Sequence, residues 1–497
     1  MQQDCTITIY PQRSKITAKQ GETILQAFGR YGIEFSAPCG GKGTCGKCKV
    51  KLLDGSVLGD SPDTDGMISS CKAVVKQNIV IALPVQHGSG IDCFQAQTLV
   101  GEKQGFGIIL DVGTTTLAAC LIDLHSGEIL KKTSALNPQS TYGADVLSRI
   151  NACRGGNLES LQKVVLEKSK ELIHSIAEEK SIDELVVSAN TTMLHIYLGE
   201  NPETIGAYPF TPVFTKTQRI DGTALSLQAD KVRLLPSVSG YIGSDITAGV
   251  LACRMHKANK TELLVDIGTN GEVVLSHKGG LYATSTAAGP ALEGACIECG
   301  LGGIAGAIDK VSVQNGKIAF STIGNENARG ICGSGLIDVI ALLLEEELID
   351  ESGCWNEESN SPLIEKLIDD KFYLTDEVYL SQKDIRQFQL AKSAIVAGIE
   401  TLLSTCGVEI GEVENIYVAG GLGFYMNVQN AVRVGLLPKW SMQKATIVGN
   451  TSLAGARLCL LQETAQQEIE KIADETKVIE LSFSKTFQDL YIEYMSF

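Results

Sequence analysis

Short stretches of alternating apolar and polar residues, interrupted by one segment of helical spacing, mark the first part of the chain. Residues 5–10 alternate as a β-strand does, and residues 15–18 can form its hairpin partner. Residues 22–31 place their apolar side chains on one helical face. Residues 48–53 and 78–83 are predicted to be further strands. The pattern therefore predicts a small sheet that one helix crosses.

A second pattern occurs twice in the body of the chain. One apolar strand ends in Asp111-Val-Gly-Thr and another ends in Asp266-Ile-Gly-Thr, and a second apolar stretch follows each turn. A single turn of this kind occurs by chance in many hairpins. Two of them, each behind a strand of the buried type, indicate an internal duplication.

Small residues dominate three further segments. The apolar strand at 414–421 ends in two glycines. Segments 243–252 and 449–458 are rich in glycine, alanine and serine, and we expect them to be helices that pack closely. Residues 85–105 match no regular element and are predicted to be a linker.

Composition narrows the function classes. The 497 residues are 44% hydrophobic, and their formal net charge is −16 without a long basic run. This charge argues against nucleic acid or an anionic membrane as a partner. The chain has no apolar stretch long enough to cross a bilayer, and its N-terminus lacks the pattern of a signal peptide. Its 15 cysteines have no disulfide-like spacing, which predicts the reducing cytoplasm as its location.

Four cysteines have the spacing of an iron–sulfur loop. They are Cys39, Cys45, Cys48 and Cys71, and glycines stand at 40, 41, 43 and 46. Four thiolates can hold two irons and two sulfides, and glycine allows the tight turns and close backbone approach that such a loop needs. A zinc site is the alternative, because Cys-x2-Cys pairs also bind zinc. Zinc knuckles seldom have so glycine-rich a loop, so we predict a [2Fe–2S] cluster.

The two Asp-x-Gly-Thr turns have the chemistry of a phosphate site. Asp111 and Asp266 can hold Mg2+ directly or through water, while backbone N–H groups and hydroxyls of the turns can contact phosphate oxygens. The predicted contacts are Gly113, Thr114, Thr115, Thr116, Gly268, Thr269, Asn270 and Gly271. A base and ribose are expected against Gly420 and Gly421. The alternative is an α/β protein without nucleotide, in which Asp111 and Asp266 only cap tight turns.

These elements resemble two known folds. The N-terminal sheet, helix and cysteine loop are similar to the β-grasp [2Fe–2S] ferredoxins, with a first cysteine gap nearer the adrenodoxin type than the plant type. The order of phosphate turn one, first connecting helix, phosphate turn two, adenosine turn and second connecting helix resembles the ASKHA superfamily over residues 106–470. The predicted fold class is an α+β β-grasp ferredoxin domain followed by an α/β two-lobed ASKHA domain. The predicted divisions are the ferredoxin domain 1–84, a linker 85–105, lobe I 106–255, lobe II 256–440, and a segment 441–497 that returns to lobe I.

The combination resembles a narrower family, the reductive activators of corrinoid proteins. The segments that carry this resemblance are 188–195, 208–212, 287–294, 328–338 and 384–392. The match covers nearly the whole chain. Longer members have extra sequence between the ferredoxin and the ATPase, where this chain has only a short linker, which questions any separate role for a linker domain.

The resemblance implies the repair of a corrinoid methyl carrier in a methyltransferase or O-demethylase system of an anaerobe. Oxidation leaves inactive Co(II), and an electron from the cluster would restore Co(I). A cluster potential near about −400 mV makes this transfer uphill, so ATP and Mg2+ would be coupled to it through nucleotide-dependent affinity for the partner. The implied partners are a corrinoid protein, an external low-potential electron donor and a second copy of the chain in a homodimer.

The resemblance also suggests roles for further residues, each with an alternative. Asp245 either orients water, as an acid does there in relatives, or caps a helix. Gln389 and Lys392 lie on a predicted helix that either covers the base or faces solvent. Glu293 either reaches the metal or forms a structural salt bridge. His195 either contacts the corrinoid or is a satisfied core histidine, and the core role is favoured.

Three later cysteines and two other function classes stay open. Cys332-Gly-Ser-Gly resembles the cysteine turn of dehydratase-activating ATPases, which bridge two subunits with a [4Fe–4S] cluster, and Cys296 and Cys299 lie nearby in sequence. Buried cysteines are common in protein cores, and the apolar surroundings favour that alternative. The chain could also be a small-molecule kinase with a regulatory ferredoxin, or a chaperone-like ATPase that matures a metal cofactor.

Overall fold

A small N-terminal sheet domain precedes two larger α/β units in the computed structural model. The structure describes residues 5–10, 14–19, 21–31, 33, 41, 43, 48–63, 66–83, 101, 103–314, 316–421 and 426–497. Across these ranges, no helix is both long and apolar enough to span a membrane.

Alternating apolar residues build the N-terminal domain. Its elements are β1 (Cys5–Tyr10), β2 (Ser14–Ala18), α1 (Ile24–Tyr31), β3 (Lys49–Asp54), β4 (Val57–Leu58), β5 (Met67–Ser69), β6 (Val74–Val75) and β7 (Ile79–Ala82). The sheet order is β2-β1-β7-β3-β5, and β1 pairs in parallel with β7. Phe28 of α1 is fully buried in the same core as Ile7 and Ile81. The predicted sheet with one crossing helix is therefore confirmed.

The first α/β unit is a mixed sheet with helices on its faces. Its elements are β8 (Phe106–Val112), β9 (Thr116–Asp123), β10 (Ile129–Leu136), α2 (Val146–Ala152), α3 (Leu158–Ala177), β11 (Glu184–Ala189), α4 (Thr191–Leu198), β12 (Gln218–Asp221), β13 (Lys231–Leu234) and α5 (Ser244–Ala252). The sheet order is β10-β9-β8-β11-β13-β12. Because β8 lies between β9 and β11 and both sheet faces are covered, it is apolar almost throughout.

The second unit repeats this arrangement around a longer insertion. Its elements are β14 (Thr261–Ile267), β15 (Gly271–His277), β16 (Gly280–Thr286), β17 (Ala307–Gln314), β18 (Lys317–Thr322), β19 (Gly330–Ile331), α6 (Gly333–Glu345), β20 (Leu367–Ile368), β21 (Lys371–Tyr373), β22 (Tyr379–Ser381), α7 (Gln382–Thr405), β23 (Val413–Ala419), α8 (Val428–Arg433), β24 (Ala445–Gly449), α9 (Thr451–Leu461), α10 (Glu463–Glu475), β25 (Lys477–Val478) and α11 (Lys485–Glu493). The main sheet order is β24-β23-β14-β15-β16-β25. As β8 does with β11, β14 pairs in parallel with the later strand β23, which confirms the duplication.

Helices α5 and α9 pack against each other between the two main sheets. Apolar residues of both sheets, such as Ile109 and Leu264, share one core with these helices. The helix backbones approach so closely that a Cβ at Gly455 would lie 2.1 Å from the Ala248 carbonyl oxygen. The small residues of the two predicted connecting helices therefore make this close crossing possible.

The segment 441–497 divides between the two units instead of returning to the first as a whole. Helix α9 packs against β8 and β11 of the first sheet. Strands β24 and β25 extend the second sheet, and α11 packs against α7. The physical reason is that β24 continues the parallel pairing of β23, which keeps it in the second sheet.

Candidate functional site

Asp111 and Asp266 lie near the carboxyl ends of the equivalent strands β8 and β14. Both residues are partly buried. Burial raises the pKa of Asp266 to about 7, and the charges of Asp111 and Glu293 add to the rise. Such an effect needs proximity, so the duplication brings one carboxylate from each unit into a common site.

Helix α9 holds the Asp111 carboxylate from its first turn. The Asn450 side-chain amide donates to one Asp111 oxygen at 2.7 Å, and the Ser452 hydroxyl donates to the other at 3.0 Å. Burial raises the pKa of Asp111, while these two hydrogen bonds oppose the rise. The second connecting helix is thus bonded directly to the strand end that precedes phosphate turn one.

Asp245 joins the two strand-end aspartates from the first turn of α5. Burial raises the pKa of Asp245 to about 8, with further contributions from the charges of Asp266 and Asp111. The capping position of α5 is occupied by Gly243, and the Asp245 carboxylate accepts from the neighbouring Ile246 N–H at 2.9 Å. Helix N-capping, the alternative expected for Asp245, is therefore wrong.

Glu293 connects the two phosphate turns. Its Oε2 atom accepts the hydroxyl of Thr115 in turn one at 2.5 Å and the hydroxyl of Thr269 in turn two at 2.6 Å. The structural salt bridge expected as one alternative is not present within the described ranges. The turns of the two units thus meet on a single carboxylate oxygen.

Turn one contains three of the remaining predicted residues. Thr114 lies inward, and its hydroxyl accepts from the Asn190 side-chain amide at 3.0 Å. Gly113 closes turn one, because its N–H donates to the Thr116 carbonyl at 3.0 Å. Thr116 is already the first residue of β9.

Turn two is closed in a similar way. The Gly268 N–H donates to the Asn270 carbonyl at 3.0 Å, and Gly271 is the first residue of β15. The Asn270 side chain hydrogen-bonds to Glu272 and lowers the pKa of that carboxyl, whereas burial and the charges of Asp245 and Asp266 raise it well above its usual range. Thr269 and Asn270 are therefore placed beside the carboxylates, and Gly271 only continues the hairpin.

The predicted adenosine turn contacts phosphate turn two. Gly420 has φ +99°, and a Cβ there would lie 2.4 Å from the Ile267 carbonyl oxygen and 2.9 Å from Asp266 Oδ1. Only glycine combines this backbone conformation with such an approach. A Cβ at Gly421 would have no atom of the described residues within 4 Å. A cleft of about 1080 Å3 lies where β17 and β18 face α6 and the start of α8.

Gln389 and Lys392 have a different role from the one the sequence suggested. Both are buried on α7, so a solvent-facing position is wrong. The Gln389 amide donates to the Met495 carbonyl at 2.8 Å, and Lys392 Nζ donates to the carbonyls of Tyr494 at 2.8 Å and Ser496 at 2.6 Å. Their polar groups bind the C-terminal backbone and so anchor residues 494–496, and the contact of this helix with a base stays a prediction.

The iron–sulfur loop is only partly within the described residues. Cys39 and Cys45 lie outside them, whereas Cys48 is buried and Cys71 is half-buried against the same core. The Ser70 N–H donates to the Cys48 carbonyl at 2.7 Å, which places Cys48 and Cys71 at one end of the β3–β5 pair. Gly43 has φ +72°, and a Cβ there would lie 2.7 Å from the side chain of Lys72. Gly43 thus lies beside the residue that follows Cys71.

Cys332 and His195 both have core environments. Cys332 is buried, and its thiol donates to the Ile308 carbonyl at 3.2 Å. His195 is fully buried between two backbone partners: its Nδ1 lies 2.7 Å from the Thr191 carbonyl, and Nε2 accepts from the Val213 N–H at 2.9 Å. The core alternative therefore describes His195, and the Cys332 thiol is bonded within its own chain. Cys296 is exposed.

Sequence reasoning missed several residues that hold the site. Arg149 is fully buried and donates to the Thr114 carbonyl at 2.5 Å. Asn450 caps α9 and bonds Asp111, and an asparagine directly before a small-residue helix is the signal that could have revealed it. Nothing in the local sequence marks Arg149, because its partner stands 35 positions earlier.

The carboxylates of the site determine whether it could bind a cation. No group of three or more His, Cys, Asp or Glu side chains in the described part of the chain is arranged to hold a metal directly. Mg2+ commonly keeps several waters and binds one or two carboxylates together with substrate phosphates. Asp111 and Asp266, beside two turns that could contact phosphate, fit that mode of binding.

Family models match the three parts of the chain. They are a 2Fe-2S iron–sulfur cluster binding domain over residues 7–76, the RACo middle region over 106–258, and the C-terminal domain of RACo, the ASKHA domain, over 260–497. The corrinoid activation enzyme RamQ of Eubacterium limosum is 35% identical over 418 residues, which cover 79% of this chain and 70% of RamQ. The chain belongs to the RACo family. The predicted [2Fe–2S] ferredoxin domain and ASKHA domain are confirmed by this membership.

A further relative and one solved structure are similar to this chain over most of its length. The [Co(II) methylated amine-specific corrinoid protein] reductase of Methanosarcina barkeri is 24% identical over 437 residues, 79% of this chain and 77% of that protein. The solved structure of a reductive activator for corrinoid, iron-sulfur protein superposes with a TM-score of 0.73 at 28% identity, covering 99% of this chain and 98% of that one. The predicted resemblance to reductive activators is thereby confirmed over nearly the whole chain.

Proposed function

We propose that this chain couples ATP hydrolysis to the one-electron reduction of a corrinoid protein, from inactive Co(II) to Co(I). The observation that carries the proposal is the meeting of both phosphate turns on Glu293, beside carboxylates from both α/β units. The RACo relatives are named for corrinoid activation and corrinoid-protein reduction. Their names supply the substrate class.

The site residues have separate proposed roles in ATP hydrolysis. Asp111 and Asp266 would hold Mg2+, and Asp245 would orient the attacking water. Thr115 and Thr269 exchange their bonds to Glu293 for phosphate oxygens, so nucleotide replaces one carboxylate as the link between the turns. Gly420 and Gly421 would support the adenosine, since Gly420 brings this turn against phosphate turn two. Hydrolysis then removes the link and lets the units separate.

The proposed electron transfer requires one reactant from outside this chain, an electron donor. The four cysteines would hold the [2Fe–2S] cluster, which would supply one electron to Co(II), and a low-potential donor outside this chain would replace that electron. ATP and water yield ADP and phosphate in the same cycle. We further propose that the protein acts in the cytoplasm as a homodimer with Mg2+ as its cation.

The test is anaerobic and spectroscopic. Cluster-loaded protein, a low-potential reductant, a Co(II) corrinoid protein and Mg·ATP are expected to develop the Co(I) absorption band. Omitting ATP, or replacing it with a non-hydrolysable analogue, should prevent repeated turnover. A small-molecule kinase would instead consume ATP with a metabolite alone, and a chaperone-like ATPase would hydrolyse ATP without forming Co(I). Co(I) formation that is indifferent to ATP would contradict the proposal.

A further inference from the structure

Helix α1 of the ferredoxin domain packs on the first α/β unit through a glycine. Gly29 is buried, and a Cβ there would lie 3.3 Å from Thr141 Oγ1 and 3.4 Å from the Tyr142 hydroxyl. These nearest atoms belong to the ATPase and not to the ferredoxin domain. Glycine inside a helix costs about 1 kcal/mol relative to alanine. The close approach of the two domains accounts for its presence.

The segment that receives Gly29 is the direct support of phosphate turn one. It consists of residues 137–142, which form a 3-10 turn capped by Asn137. The Asn137 side-chain amide donates to the Gly113 carbonyl at 2.8 Å, and its N–H donates to the Thr115 carbonyl at 2.8 Å. Asn137 is completely buried, so any shift of residues 137–142 must be transmitted to the turn.

A second connection between the same two segments passes through Arg149. Its Nη1 donates to Gln139 Oε1 at 3.1 Å, while its Nη2 donates to the Thr114 carbonyl. Gln139 also donates to the Leu161 carbonyl of α3 at 3.1 Å. Arg149 and Gln139 are both fully buried. The support of turn one is therefore a rigid, fully bonded polar network.

The other end of this contact is the iron–sulfur loop. Leu25 lies four residues before Gly29, and therefore on the same face of α1 one helical turn away. A Cβ at Gly41, between Cys39 and Cys45 in sequence, would lie 3.5 Å from Leu25 Cδ2. One face of α1 thus contacts the cluster loop at one turn and the support of phosphate turn one at the next.

We propose that the Gly29 face of α1 and residues 137–142 form a docking surface through which nucleotide binding and the seating of the ferredoxin domain control each other. The seated domain braces residues 137–142 and so preorganises phosphate turn one for nucleotide. Linkage requires the reverse as well, so bound nucleotide strengthens the seating by the same factor. The inference rests on the proposed function only in taking Mg·ATP as the nucleotide.

The experiment compares full-length Gly29→Leu with the unaltered chain. A leucine at position 29 cannot fit against Thr141 and Tyr142, so the domain is expected to leave its seat. Mg·ATP affinity by calorimetry should fall about five-fold or more, the lower end of typical coupling. Hydrogen exchange should rise in both 24–31 and 137–142. In the unaltered chain, Mg·ATP should slow exchange in 24–31.

Two further variants are compared with Gly29→Leu, one as a control and one as a milder substitution at the same position. Lys15→Leu adds the same side chain at an exposed position of β2 and is expected to leave affinity and exchange unchanged. Gly29→Ala improves the intrinsic propensity of α1 but still introduces a 3.3 Å contact, so it should weaken Mg·ATP binding in the same direction without risking the fold. The visible spectrum of the cluster verifies that each variant retains a folded ferredoxin domain.

The outcomes separate this inference from the proposed function. The docking surface alone would be overturned if both Gly29 variants bound Mg·ATP as the Lys15→Leu control does and hydrogen exchange in 137–142 were unchanged. Tighter binding in the Gly29 variants would also overturn it, because bracing would then oppose nucleotide. An unaltered chain that binds no Mg·ATP ends the proposed function, and the coupling with it.

Discussion

At the scale of single residues, the aspartates of the site stabilise the folded chain only while they are protonated. The pKa of Asp266 is raised from 3.8 to about 7, mainly by burial. Between these values the folded chain holds a proton that the unfolded chain has released. The contribution of Asp266 to the free energy of unfolding is therefore complete below pH 3.8 and is lost as the pH rises through 7.

Asp266→Asn tests both the pH dependence of stability and the proposed role of Asp266 in ATP hydrolysis. The amide cannot ionise, so the nucleotide-free variant should lose less stability than the unaltered chain when the pH is raised through 7, measured as the calorimetric midpoint. ATPase activity should fall about 100-fold or more, because the variant lacks the charge that holds the cation. Asp123→Asn, at an exposed turn, is the control for both measurements. Full ATPase activity in Asp266→Asn would contradict the assignment.

The cysteines near the N-terminus permit a second prediction. Cys48→Ser and Cys71→Ser should each remove most of the visible absorption of the [2Fe–2S] cluster after anaerobic reconstitution, because each variant lacks one of four thiolate ligands. Cys5→Ser in β1 is the matched control and should retain the spectrum, since its spacing excludes it from the loop. An intact spectrum in Cys71→Ser would remove it from the ligand set.

At the scale of elements, the sequence was most informative where a strand ends in a turn that carries candidate functional residues. The alternation and the two Asp-x-Gly-Thr turns predicted β8 and β14, because buried strands and tight turns are determined locally. The contacts of α7 could not be predicted in this way. Its helical period was visible, but whether Lys392 meets a base or a backbone carbonyl depends on where α11 packs, which is a long-range outcome.

Lys392 provides a prediction that distinguishes these two roles. Burial lowers its pKa to about 8, and its ammonium is bonded to the carbonyls of Tyr494 and Ser496. Lys392→Met should accelerate hydrogen exchange in the C-terminal residues that this anchor holds. Mg·ATP affinity should stay within about two-fold, a difference of only about 0.4 kcal/mol. A large loss of affinity would restore the base-covering role that the sequence suggested.

The crossing of α5 and α9 gives the next prediction. A methyl group at Gly455 would clash with the Ala248 backbone, which cannot move as a flexible side chain could. Gly455→Ala should therefore destabilise the ASKHA domain by about 1–3 kcal/mol, despite its better helix propensity. Calorimetry measures the midpoint of that transition. Gly411→Ala, which adds a methyl group in open space, is the control and should leave the midpoint unchanged.

At the scale of the whole molecule, the two α/β units share one acidic site. Asp111 and Asp245 come from the first unit, and Asp266 and Glu272 from the second. Burial raises the pKa of each of the last three, and repulsion between neighbouring carboxylates adds to the rise. Protonation of these carboxyls therefore depends on how closely the units approach, and a cation between them should reverse the effect.

This dependence predicts that Mg·ATP binding releases protons. With pKa values of about 7 for Asp266 and about 8 for Asp245, the site holds protons at pH 7.5 in the absence of nucleotide. A bound Mg2+ favours the ionised carboxylates, so preformed Mg·ATP should displace up to about one proton. Calorimetric titrations at pH 7.5 in two buffers of different ionisation enthalpy measure this number, and Asp245→Asn should reduce it. Proton uptake, or an equal heat in both buffers, would mean that the cation does not sit among these carboxyls and that the units meet without it.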